Sequence, residues 1–303
     1  MPTTWSELRW HAMGSIAHLQ VLGGPPRTVD GAVAELEGME ACWSRFRPAS
    51  ELCRLNGDPS TRVVVSPLLA EALRRAVAGW ELTGGRYDPT VLVALERAGY
   101  RLSHLPGRGA RGHLVAHPAV GMSQVTITDQ IVERPPGLRL DLGGVGKGLA
   151  ADLLAQWCLD RGCESVSVSL GGDVRVAGRP PTDGWRVAVA DPRQGVPWLD
   201  VRLGEGAIVT STTIAPSWPT LDGGRAHHLV DPSTGLPSDT GVLAAVVVAA
   251  EAWWAEVLAK AAVVTGPEAG TALLDRHGAG GWLVTPGGVH DAGVSKPTPV
   301  AVP

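Results

Sequence analysis

The chain has 303 residues, 44% of them hydrophobic and 18% charged, which is the balance of a globular protein with ample burial and excludes a disordered one. A formal net charge of -4, with no dense Lys/Arg run, leaves no electrostatic footprint for nucleic acid. One large core or two tightly joined subdomains is the expected organisation at this length. The four cysteines, Cys42, Cys53, Cys158 and Cys163, lack metal-ligand spacing and are too few to form a disulfide framework. Reduced thiols, charges among the first ten residues and no apolar leader predict a cytoplasmic protein. The longest uninterrupted apolar run, Val242 to Ala250, has the length of a strand and not of a membrane span.

In chain order, "AMGSIAHLQVLGG" reads as a strand ended by a Gly-Gly-Pro-Pro turn. From Thr28 to Trp43 the apolar residues Val29, Val33, Leu36 and Met39 recur at helical spacing. "SRFRPASELCRLNG" is a loop leading into a short helix. The clearest helix is "SPLLAEALRRAVAGWELTGG", with Ser66 as N-cap, Pro67 in the first turn and Gly84-Gly85 as the stop. A Gly-, Pro- and His-rich loop from about 103 to 120 precedes "SQVTITDQIVERP", which alternates as a hairpin does. A helix from Leu149 to Arg161 is closed by Gly162. "SVSVSLGGDVRVAG" and "WRVAVADP" are expected to pair antiparallel, and "AIVTSTT" and "GVLAAVVVAA" add strands. A helix from about Trp253 to Val264 follows, and 295–303 read as a tail. Strands outnumber helices and recur as neighbours, which predicts an α+β fold with mostly antiparallel sheets and packed helices.

The stretch "LDLGGVGKGLAADLLAQW" places a glycine-rich loop with Lys147 between a strand and a helix. It is not a P-loop, because Asp141 stands where the first glycine belongs and Gly148 where Ser or Thr belongs. The dinucleotide fingerprint fails as well, since Gly144, Gly146 and Gly148 are spaced by two. Two readings remain: backbone amides that approach an anion at a helix N-terminus, helped by Lys147, or a tight turn with no ligand.

Seven motifs occur in the order AMGS, SRF, GGRYDPT, DLGGVGKG, SLGGDVRVAG, TST and HLVDPSTG. In this order the chain resembles the ApbE-like flavin transferases over about Met13 to Gly266. The resemblance implies a two-subdomain architecture in one catalytic domain and an FAD:protein FMN transferase activity. FMN would pass from FAD to a Ser or Thr hydroxyl of an acceptor protein, with AMP released. Phosphoryl transfer of this kind depends on positioning and charge neutralisation. By the resemblance Met13 and Phe46 border the flavin, and Tyr87, Asp88 and Thr90 contact FAD. Lys147 lies by the diphosphate, His228 both contacts FAD and acts as acid/base, and Asp231 orients it or holds the turn. Asp88-Pro89 and Asp231-Pro232 are equally ordinary turn chemistry. Asp141 is expected to fix its loop, and Asp173 to bond backbone groups of its turn. His227 lies off the motif, so its loss is expected to matter little.

The resemblance also implies a divalent cation, usually Mg, held by backbone carbonyls of the glycine loop, Gly146 among them, and by two residues four apart on a helix. Here those two are Glu256 and Lys260. A charged lysine has no lone pair and cannot ligate Mg, whereas its ammonium can occupy the ion's place and pair with Glu256. Thr212 of "VTST" replaces a small residue and is expected to narrow the substrate channel. Two other readings keep the FAD site. One is an FAD pyrophosphate hydrolase or an enzyme repurposed for a small molecule; the other is a non-catalytic FAD-binding protein.

Overall fold

The computed structural model describes residues 4–101 and 112–293, so the first half of the loop expected at 103–120 and the tail at 295–303 lie outside the described residues. Its centre is an eight-stranded sheet in the order Trp5–Ala12, Ser15–Gly23, Cys163–Leu170, Asp173–Gly178, Gly206–Thr212, Ala244–Ala249, Gly280–Thr285, Gly288–Ala292. Every neighbouring pair is antiparallel, so the α+β expectation holds.

Period-two alternation decides what each face meets. In the sixth strand Ala245 and Val247 join Leu258, Ala262 and Leu283 beneath the helix Ala252–Thr265. Between them Val246 points to the other face, against Trp185, Leu199, Ile208 and Trp282. Leu19, Val21, Val166 and Val168 share the first helical side with Leu36 and with Leu149 and Leu154 of the helix Gly146–Asp160. The helix Ala252–Thr265 is apolar almost all round, as a helix buried on every side must be. It therefore carries any charged residue it contains into the core.

Two expectations are corrected. The strand from Ala12 onward is the second arm of a hairpin, in which Ala12 pairs with Ser15 across Met13 and Gly14 at φ 51 and 72. Its first arm, Trp5–Ala12, escapes a search for buried runs because no residue in it is fully buried. "SVSVSLGGDVRVAG" is itself a hairpin, because Gly171-Gly172, at φ 67 and 98, supplies the positive φ values a two-residue turn needs. The strand Trp185–Ala190 pairs with Pro197–Leu203 instead and lays Trp185 and Val189 on the outer sheet face. The N-cap reading is borne out: Ser66 accepts from the Leu69 amide at 3.2 Å. The helix after the glycine loop starts at Gly146, three residues earlier than expected. No helix among the described residues is long and apolar enough to cross a membrane.

Candidate active site

A cleft of about 480 Å³ opens where the first hairpin turn, the loop after the helix Thr28–Trp43, the glycine loop and the strand Gly206–Thr212 meet. A side chamber of about 110 Å³ adjoins it and shares Arg45, Phe46, Tyr100, Asp141, His228 and Lys260.

The glycine loop forms its floor, but most of its amides are already bonded. Gly143 N–H donates to Asp141 Oδ1 at 2.7 Å, and the Val145 and Gly146 amides both donate to Leu142 O. Gly148 N–H donates to Glu256 Oε2 at 2.8 Å. The glycines answer to sterics instead. A Cβ on Gly148 would stand 2.4 Å from the Ala252 carbonyl oxygen, and one on Gly144 would stand 2.5 Å from Tyr87 Cε2. Those two positions need glycine for close packing, whatever the loop binds. Gly146 lines the cleft at the first turn of its helix.

Side chains carry the charge. Lys147 Nζ reaches Asp173 Oδ2 at 2.9 Å, and this partner raises the lysine pKa above its ordinary value. Asp173 also accepts the Thr210 amide, 3.0 Å away on another strand, so it bridges two strands and a lysine and does more than serve its own turn. Arg45, which motif reading passed over, is buried with Asp141 in an ion pair of 3.1 Å, and it donates to Tyr100 O at 2.8 Å. Its guanidinium lies 4.1 Å from the Phe46 ring centroid and 4.6 Å from that of Tyr100. The signal for it was present: a charged residue beside the only phenylalanine, inside the "SRF" motif. Asp141 fixes its loop as expected, through the Gly143 amide, and holds Arg45 besides.

Glu256 is fully buried, and Lys260 Nζ sits 3.0 Å from its Oε1. With Oε2 on the Gly148 amide, both carboxylate oxygens have partners. A divalent cation does not fit these residues. It would have to displace the Lys260 ammonium, and each unit of like charge at about 4 Å opposes it by roughly 4 kcal/mol at an effective dielectric near 20. Among the described residues no cluster of three or more His, Cys, Asp or Glu is grouped to hold a metal.

His228 lines both cavities, with its Nδ1 buried and without a hydrogen-bond partner. Burial, then the charges of Lys260 and Lys147, push its pKa down to about 3, so the free site holds a neutral imidazole at pH 7. Asp231 does not orient it: Asp231 Oδ1 accepts the Ser233 amide at 2.8 Å and hydroxyl at 2.7 Å, and no hydrogen bond joins it to His228. Its role is the turn, because the short aspartate side chain reaches its own backbone two residues on. His227 is not idle. Its Nδ1 accepts the Leu229 amide at 3.3 Å while Nε2 faces Ser238 O at 3.1 Å, which puts the proton on Nε2. Removing the ring unpartners both groups, so His227→Ala should cost about 1–3 kcal/mol of stability, read by thermal or urea denaturation. A melting curve superimposable on wild type would return His227 to the idle role.

Met13, at φ 51, lines the large cleft and donates its amide to Glu40 at 2.8 Å; Phe46 lines both cavities. Tyr87 and Asp88 line only the side chamber. The Tyr87 hydroxyl is buried without a partner, and burial pushes its pKa well up. Asp88 accepts from the Thr90 amide and hydroxyl at 2.8 and 2.7 Å, and burial raises its pKa. Thr90 in turn accepts the Gly121 amide and lines neither cavity, so Asp88 and Thr90 build the wall behind the chamber. The Thr212 hydroxyl donates to Leu243 O at 2.9 Å and borders the large cleft.

The chain matches the model of the ApbE family over residues 13–281. It is similar to an FAD:protein FMN transferase of Treponema pallidum, 31% identical over 293 residues, which span 86% of this chain and 79% of that one. It is also similar to an FAD:protein FMN transferase of Vibrio cholerae, at 29% identity over 80% of this chain and 74% of that one. The crystal structure of the ApbE protein of Thermotoga maritima matches at TM-score 0.82 and 27% identity, covering 95% of this chain and 97% of the other. The Pseudomonas stutzeri flavinyl transferase ApbE, 23% identical, shares the fold at TM-score 0.82 over 97% and 98% of the two chains. This chain belongs to the ApbE family.

Proposed function

We propose that the protein is an FAD:protein FMN transferase acting as one catalytic unit. The observation that carries this reading is a neutral histidine with a free, buried Nδ1 on the wall of a cleft that Lys147 and Lys260 also line. FAD enters with its flavin toward Met13 and Phe46 and its diphosphate toward the lysines. Burial is the first cause of the depressed His228 pKa, and Lys260 and Lys147 are the next. The diphosphate offsets the charges of those two lysines, so the ring is more basic with substrate bound than without it. A Ser or Thr hydroxyl of the acceptor protein gives its proton to His228 and forms a bond to the FMN-side phosphorus. The bond to the bridging oxygen breaks, and AMP leaves.

Incubation with FAD and a peptide bearing Ser or Thr, followed by mass spectrometry, should show the peptide gaining FMN and one AMP released per transfer. FMN and AMP appearing without any acceptor would turn the reading to hydrolysis of FAD. Because the cationic groups face the cleft, FAD should bind at least about tenfold more tightly than FMN, a difference of about 1.4 kcal/mol. Calorimetry giving equal affinities would remove the diphosphate from the account of binding.

A further inference from the structure

We propose that Arg45, Lys147 and Lys260 together seat the diphosphate with no divalent cation, and that Lys260 stands where the family resemblance puts the metal. The proposal rests on the FAD reading above and names what holds the ligand.

The Arg45 side chain is only 6% exposed, and its Nη2 is buried without a hydrogen-bond partner, although Nε and Nη1 are engaged by Asp141 and the Tyr100 carbonyl. An unpaired donor on a buried guanidinium is costly to leave unfilled and matches a phosphate oxygen in geometry. Each lysine ammonium has three N–H groups. Lys147 gives one to Asp173 and Lys260 gives one to Glu256, and both side chains line the cleft. The carboxylates partnering the lysines are the more deeply buried members, at 4% for Asp173 and 0% for Glu256. They fix the ammonium groups from behind and leave the remaining donors directed elsewhere.

The alternatives for holding two negative charges are weaker. The loop amides of Gly143, Val145, Gly146 and Gly148 are engaged internally, so an amide cradle is largely closed. A metal would need Glu256, and it would have to displace the Lys260 ammonium that sits 3.0 Å from Oε1. Asp141, Asp173 and Glu256 already balance the three cations. What these side chains offer a diphosphate is therefore a set of N–H donors held in place before the ligand arrives, in a partly dry cleft and with no metal.

The test titrates the full chain with FAD, and separately with ADP as a plain nucleoside diphosphate, by calorimetry in EDTA and then with Mg. Both ligands should bind in EDTA, with dissociation constants within about twofold of those in Mg. Arg45→Gln and Lys260→Met should each weaken FAD in EDTA by about 10- to 100-fold, the worth of a hydrogen bond to a charged group. Lys260→Met leaves Glu256 unpaired and risks misfolding, so the wild-type comparison and Arg45→Gln stand without it. Wild-type binding of FAD only when Mg is present would overturn the metal-free seat and leave the FAD reading intact. Tight ADP binding in EDTA with no FAD binding would uphold the seat and sink the flavin reading. No binding of either ligand in EDTA overturns the seat.

Discussion

His228→Ala lowers the transfer rate about 100-fold or more while FAD affinity stays nearly unchanged, the expected result when a general base is removed from a preformed site. Geometry favours this outcome, because Nδ1 is buried and unpartnered on the cleft wall and no carboxylate oxygen is bonded to the ring. The same substitution has a signature in stability. The folded ring is held down to about 3 from an ordinary 6.5, chiefly by burial and then by Lys260 and Lys147. Between those values the unfolded chain binds a proton that the folded chain refuses. This contribution to stability is therefore complete above pH 6.5 and is lost as the pH falls toward 3. His228→Ala should therefore lose less stability on acidification than wild type, measured by urea unfolding at pH 7 and pH 5. Parallel losses together with a near-normal transfer rate would reduce His228 to a structural residue.

Glu256→Ala should be among the most damaging substitutions. Glu256 is fully buried in a helix that is apolar almost all round, and its carboxylate holds both Lys260 and the amide of Gly148, 108 residues away in sequence. Removing it leaves a mostly buried ammonium and a helix-start N–H without partners, at a cost of about 3–5 kcal/mol. Domains of about 150–250 residues lose about 2–4 °C of Tm per kcal/mol and longer chains less, so the expected fall here is on the order of 10 °C. Glu256→Leu combined with Lys260→Leu should recover the part owed to the unpaired ammonium, because replacing both members of a buried pair by apolar groups is often neutral or stabilising, and should leave the part owed to the Gly148 amide. A fall of only a degree or two for Glu256→Ala would show that water reaches the pair.

Much of this protein could be read from its residues in order. The cap of Ser66, the proline after it and the Gly84-Gly85 stop act within a few residues of one another, so the helix Pro67–Leu82 was visible before any fold was known. The i,i+4 spacing of Glu256 and Lys260 likewise predicts that they face the same way, and they form an ion pair. The seven motifs, read together, pointed to the family. Tertiary structure alone decided what those residues meet. "DLGGVGKG" suggested amides free for an anion, yet Gly143 turns to Asp141 and Gly148 to Glu256, while Gly144 makes room for Tyr87. Arg45 became a site residue only because Asp141, Phe46 and Tyr100 enclose it. Asp231 and His227 exchanged the importance their motif positions implied, one closing a turn and the other tying two backbone groups together. The reason is physical: caps, turns and periodicity are interactions between neighbours along the chain. The burial of a charge, and the partner that satisfies it, are set by segments that meet only when the sheet and helices pack.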